Sequence, residues 1–233
     1  MHTKHTIEVN DEKIAYFEYP TKQALKGIVL FCHGFPGGNR LDTLAKPLNE
    51  HEITLIEANY RGDPECGGKF SFFGSLDDIK TLTHAIKKQY PVVPITILGF
   101  SMGGFFTCCL ARDYPDLFNK IVLLNPLLDV SFTKTEIMQR LWIEAHEALQ
   151  LYDQNLYRDE TERMFHEANP IDFVPELKPK IHMVISTNDE VLPPATAQRF
   201  YDRLPNKGKF TWIQGAEHSV SGDEPEIINA LTT

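Results

Sequence analysis

The stretch Ile95-Thr96-Ile97-Leu98-Gly99-Phe100-Ser101-Met102-Gly103-Gly104 carries an apolar, β-branched run into a serine with glycine two residues away on each side. A Gly-x-Ser-x-Gly pattern between a strand and a helix makes a sharp turn that lifts the hydroxyl above the sheet, and the strained backbone there tolerates little beyond glycine at its flanks. Ser101 is therefore the candidate nucleophile. A serine hydroxyl is weak at neutral pH and needs a base, which in turn needs an acid to orient it. His218, in Gly215-Ala216-Glu217-His218-Ser219, and Asp189, in Thr187-Asn188-Asp189-Glu190, each follow an apolar run. The order Ser, Asp, His is the one that goes with a strand–serine–helix turn. Asp129 competes for the acid role, and Glu190 is a neighbour expected to point elsewhere.

A negative charge developing on a substrate oxygen requires at least two donors. The backbone N–H of Met102, at the start of the helix after the serine, is one candidate, and that of Phe35, in His33-Gly34-Phe35-Pro36, is the other. Pro36 has no N–H to offer. His33 is expected to shape this loop rather than act as base. The run His146-Glu147-Ala148-Leu149-Gln150 begins like a zinc-protease helix but lacks the second histidine.

These residues need strands whose carboxyl ends share one rim. Apolar strands are expected at 27–33, 53–58, 95–100, 121–124, 181–185 and 210–213, with helices between them over about 40–50, from Ser75 onward, after Ser101 and at 193–204. Residues 6–19 read as an edge hairpin around Asn10-Asp11. The last helix is expected to be capped by Asp223. The alternation predicts an α/β fold, a mostly parallel central sheet with helices on both faces, as one domain over 1–233. It lapses at about 131–168, where Ile137, Leu141, Trp142, Ala145, Leu149 and Tyr152 recur at helical spacing. This segment is expected to be a helical cap insertion, with Trp142 and Phe165 among aromatic residues lining a substrate pocket.

A net charge of −9 and the lack of a Lys/Arg stripe speak against a nucleic-acid partner. No apolar run reaches the roughly 20 residues of a membrane span, and the N-terminus has no secretory pattern, so a cytoplasmic location without membrane insertion is expected. Oligomeric state is open. The cysteines Cys32, Cys66, Cys108 and Cys109 form no metal-binding or redox spacing. Cys66, in a loop, is expected to be accessible.

The sequence resembles the α/β-hydrolases. His33-Gly34-Phe35, Gly99-Phe100-Ser101-Met102-Gly103, Asp189 with Val191 and Pro193, and His218 stand in that family's order from about residue 27 onward. It is similar in particular to compact serine esterases and lysophospholipase-like enzymes with a small helical cap. Asn59-Tyr60-Arg61-Gly62 and Gly103-Gly104 also resemble the catalytic domains of prolyl-oligopeptidase-type peptidases. The resemblance implies a serine hydrolase, with no metal or organic cofactor, acting on a small-molecule carboxylic ester through an acyl-enzyme. A peptidase or amidase, or a hydrolase-fold protein that binds a ligand without turnover, are the alternatives.

Overall fold

The structure, a computed structural model, describes residues 2–37, 42–131, 145, 149 and 154–233. Among these, β1 (Thr3–Val9), β2 (Glu12–Tyr19), β3 (Gly27–Cys32), β4 (Ile53–Ala58), β5 (Ile95–Phe100), β6 (Lys120–Leu124), β7 (Ile181–Ser186) and β8 (Lys207–Ile213) form one sheet in the order β1-β2-β4-β3-β5-β6-β7-β8. The hairpin β1–β2 adds antiparallel to β4, and the other strands run parallel. The hairpin turns on Asn10 and Asp11, both at positive φ (50° and 66°), which these residue types tolerate best after glycine. The described helices are α1 (Asp42–Glu50), α2 (Phe72–Gln89), α3 (Met102–Asp113), α4 (Gln154–Glu167), α5 (Pro194–Arg203) and α6 (Pro225–Thr232).

The central strands are apolar at nearly every position because both sheet faces are covered. Ile28, Leu30, Ile95 and Ile97 point into the core shared with α2 and α3, whereas Val29, Phe31, Leu98 and Phe100 point into the core shared with α1 and α6. After β3 the chain crosses to β4, and after β5 it crosses the other way to β6. The loops leaving β3 and β5 therefore diverge and open a crevice at the strands' carboxyl ends.

Three local expectations are corrected. Helix α2 begins at Phe72, not Ser75: Ser71 Oγ caps it by accepting Gly74 N–H, while Ser75 is buried within the helix. The cap position of α6 is Glu224 with no side-chain cap bond, and Asp223 instead accepts from the Ser221 hydroxyl. Cys66 is buried, its sulfur accepting Ala15 N–H at 3.3 Å, and burial pushes its thiol up to about 12. Most of the expected insertion, residues 132–144, 146–148 and 150–153, lies outside the described residues, and Trp142 with it.

One carboxylate ties helix α4 to the start of α2. Glu160, buried at 6% exposure, accepts Ser71 Oγ–H at 2.6 Å and Phe72 N–H at 2.7 Å. It thus satisfies a first-turn N–H of α2 and places negative charge at the positive end of an 18-residue helix. Arg163 lies 4.0 Å above the Phe73 ring, and Tyr157 packs against Phe72. Glu160→Ala should destabilise the protein by about 1–3 kcal/mol, because a buried donor loses its acceptor. Glu160→Gln, which keeps one acceptor oxygen, should cost less; thermal unfolding of the variants side by side reads the ranking.

Candidate active site

Ser101 occupies φ 53°, ψ −118°, a conformation that L-residues rarely adopt. Its neighbours explain how it is held. A Cβ on Gly103 would lie 2.0 Å from Cys32 O, and one on Gly99 would lie 2.4 Å from Thr107 Oγ1 and 2.6 Å from Gly103 O. Only hydrogen at these positions lets α3 press its first turn against the ends of β3 and β5. The Ser101 peptide is itself bonded on both sides: its N–H donates to Leu124 O (3.1 Å), and its C=O accepts from Gly104 N–H (2.9 Å) and Leu127 N–H (2.8 Å).

The structure brings the serine, histidine and aspartate together. His218 Nε2 lies 3.0 Å from Ser101 Oγ, and His218 Nδ1 lies 2.7 Å from Asp189 Oδ2. A carboxylate only accepts, so Nδ1 carries the proton and Nε2 is left to receive the serine's. Asp189 Oδ1 accepts Val191 N–H (2.9 Å) and Leu192 N–H (2.7 Å), which fixes the carboxylate plane. Asp129 does not join this line; its Oδ1 accepts from Ser131 N–H and Oγ–H. Glu190 is exposed and borders the cleft.

Phe35 follows Gly34, whose missing Cβ would sit 3.0 Å from Ser101 Cβ. The Phe35 ring packs toward Phe70 and Phe72 (5.3 and 5.9 Å between centroids), and the residue borders the cleft. Met102 is the first residue of α3, where helix geometry leaves its N–H without an intrahelical acceptor. A cleft of about 470 Å³ is bordered by Phe35, Phe100, Ser101, Val191 and His218, with Glu190 and Glu217 at its edge. Phe165 is partly buried and packs against the larger core. Among the described residues, no three His, Cys, Asp or Glu side chains are grouped to hold a metal ion, and no helix is long and apolar enough to cross a membrane.

Two features went unread in the sequence. His33 and Asp63, both nearly fully buried, are paired at 3.0 Å between Nε2 and Oδ2. His33 Nδ1 donates to Gly34 O at 2.8 Å, and Tyr60 N–H donates to Asp63 Oδ2 at 2.7 Å. The other is Asn125, whose side chain reaches the His218 carbonyl. A polar residue just after a buried strand was the available signal in each case.

With this geometry in place, the class is that of the α/β-hydrolases. The structure of Est1E from Butyrivibrio proteoclasticus with bound ferulic acid aligns at a TM-score of 0.77 and 18% identity, covering 98% of this chain and 96% of that one. An alpha-beta serine hydrolase homologue from Coxiella burnetii aligns at 0.71 and 18%, covering 99% and 95%. Residues 23–171 match the family described as serine aminopeptidase, S33, and the chain belongs to that family. It is also similar to the monoglyceride lipase homolog of Monkeypox virus, 30% identical over 109 residues, which are 45% of this chain and 40% of that protein. The human monoglyceride lipase is 23% identical over 244 residues, covering 88% of this chain and 80% of that protein. The chain thus spans under half the length of the first curated relatives it matches.

The buried His33–Asp63 pair has a stability consequence. Burial alone would lower the His33 pKa, but the Asp63 charge and hydrogen bond, the Gly34 carbonyl and Glu57 raise it above its ordinary value. A group raised in the folded state contributes its stability in full below the unfolded value, near ~6.5, and loses it as pH climbs through the folded value. Denaturant unfolding from mildly acidic to alkaline pH should show a falling component in the parent that His33→Gln lacks; equal slopes would mean that His33 is uncharged.

Proposed function

We propose that this chain is a serine hydrolase that cleaves carboxylic esters of small to medium acyl chains through an acyl-enzyme intermediate. The observation that carries the proposal is the continuous line Asp189–His218–Ser101, 2.7 and 3.0 Å long, at the edge of an open cleft. Ser101 Oγ attacks the ester carbon as His218 Nε2 takes its proton. The tetrahedral oxyanion is held by the Phe35 and Met102 N–H groups, and His218 returns the proton to the leaving alkoxide. Water, deprotonated by the same imidazole, then releases the acyl group. Asp189 holds the imidazole in the required tautomer throughout. The likeness to monoglyceride lipases, whose names describe ester cleavage, supports this choice of substrate.

The expected insertion over 131–168 is proposed to cap the cleft. Helix α4 already reaches toward it through Tyr157, Phe72 and Phe35, and Trp142 is assigned to the acyl side. Phe165 is assigned to the same side, where it packs against the larger core. A second reading, cleavage of aminoacyl amides, is favoured by Glu190 and Glu217 at the cleft edge, where carboxylates suit a protonated amine, and by the family's description.

Ser101→Ala should abolish turnover of chromogenic esters without loss of fold, and a fluorophosphonate should add its mass at Ser101 in the parent alone. Asp189→Asn should lower turnover by roughly 10⁴-fold, because the imidazole then presents the wrong tautomer. Asp129→Asn should be mild. Intact hydrolysis in Ser101→Ala would leave only the binding role.

Each methylene buried at the acyl site is worth about 0.8 kcal/mol, so butyryl esters should be preferred to acetyl esters on the order of tenfold before the site fills. An acetyl-to-octanoyl series run beside aminoacyl amides separates the two substrate classes. A flat series would remove the acyl site, and faster amide turnover would favour the second reading.

A further inference from the structure

The segment between Leu124 and Leu127 does more than leave the sheet. Leu124 O accepts the Ser101 N–H, and Leu127 N–H donates to the Ser101 carbonyl, so this segment grips both sides of the Ser101 peptide. Between those two contacts stands Asn125, 2% exposed and at φ 40°, a left-handed conformation that asparagine tolerates better than most residues. Its carboxamide is fully used. Oδ1 accepts Ser186 N–H at 2.8 Å, and Nδ2 donates to Ser186 Oγ at 2.9 Å and to the His218 carbonyl at 2.8 Å. A backbone N–H on one side and a backbone carbonyl on the other leave one sensible orientation of the amide.

Backbone pairing of β6 with β7 ends with Asn125 N–H donating to Val184 O at 3.1 Å. Asn125 extends that ladder by one side-chain rung to Ser186, the last residue of β7 and the start of the loop that carries Asp189. The same amide then reaches across to the loop after β8 that carries His218. That loop's other bonds, Asn188 N–H to Ala216 O at 2.9 Å, Gly215 N–H to Thr187 Oγ1 at 2.8 Å, Asn188 Nδ2 to Gly215 O at 3.4 Å and His218 Nδ1 to Asp189, go to the loop after β7 and do not touch β6.

We propose that Asn125 is a positioning residue that sets His218 against Ser101, by tying the His218 backbone to the same short segment that holds the Ser101 peptide. This rests on the ester-hydrolysis reading for its kinetic consequence but not for its geometry. Asparagine is suited to the task because it alone among small side chains supplies an acceptor and two donors. Serine is too short, and aspartate would set an anionic oxygen against the His218 carbonyl.

Asn125→Asp and Asn125→Ala should lower kcat on the order of 100-fold, the scale of a misplacement near 1 Å, with KM near the parent's. Each should also broaden or abolish the low-field proton resonance expected from the 2.7 Å His218–Asp189 hydrogen bond. Melting curves establish that the variants are folded. In the unmodified parent, the Asn125 side-chain NH₂ protons should exchange slowly and shift when a fluorophosphonate occupies Ser101, a readout that needs no variant to fold. A folded Asn125→Asp with parental kcat and an intact low-field resonance overturns the proposal, as do NH₂ protons that exchange freely or ignore the phosphonate. If Ser101→Ala retains turnover, the hydrolysis reading fails, and the resonance measurements alone still decide whether Asn125 holds His218.

Discussion

The backbone conformation of Ser101 is the constraint around which the other parts are arranged. Holding a non-glycine residue at φ 53°, ψ −118° costs on the order of 1–3 kcal/mol, and it persists only where the surroundings over-determine it. Here the surroundings are specific. Gly103 lets α3 rest on Cys32 O, Gly99 makes room for Thr107 and Gly103, and Gly104 fits against Pro126, where a Cβ would come within 2.4 Å. The hydrogen bonds that Ser101 N–H donates to Leu124 O and that its carbonyl accepts from Leu127 N–H then hold the peptide from the β6 side. The strain is thus carried by the contact of three consecutive parallel strands and one helix, and those strands must already be in register for it to be held.

That dependence explains why so much was legible in the sequence. A strand buried on both faces must be apolar at consecutive positions, so β3, β5, β6 and β7 announce themselves without alternation. Once their order is given, residues just beyond their carboxyl ends converge, and Asp189 and His218 follow from position alone. What was not legible depends on contacts made at long range. Phe72-Phe73-Gly74 reads as loop, because the group that helps start α2 is Glu160, 88 residues away. Cys66 lies in a loop and is sealed by the hairpin formed by residues 3–19. Asn125 stands before a proline just past a buried strand, and its side-chain partners come from the returning chain at Ser186 and His218. Trp142 belongs to the segment outside the described residues, where periodicity remains its sole support.

The His33–Asp63 pair shows how a loop can be fixed where packing alone would leave it loose. Two acceptors face the imidazole, a carbonyl and a carboxylate, and the carboxylate is also bonded to Tyr60 N–H. Tyr60 in turn donates its hydroxyl to His33 O at 3.0 Å and lies tilted against the imidazole with ring centroids 4.2 Å apart. A buried pair of opposite charges adds little net stability, since desolvation offsets much of the attraction. Its effect is directional: it pins Gly34 beside Ser101. The ends of β3 and β4 are thereby locked together on the side of the cleft opposite His218.

Asp189 illustrates the same logic on the other side. As a turn acid it would accept backbone N–H groups of its own loop, and as a partner for histidine it would keep an oxygen for Nδ1. It does both, with a different oxygen for each. Oδ1 takes the N–H groups of Val191 and Leu192, which fixes the carboxylate plane and leaves Oδ2 aimed at His218. With the side chain only 1% exposed, those donors also replace the water that a buried carboxylate would otherwise lack. Asp129 lies after a neighbouring strand and has the same chemistry, yet its Oδ1 is occupied by Ser131, and among the described residues no imidazole bonds to it. The difference between two aspartates lies in whether the following turn can hold one oxygen still while the other faces the base. Lengthening the side chain to glutamate would keep the charge but would not let both oxygens reach their partners at once, so the orientation of His218 depends on the turn as much as on the acid.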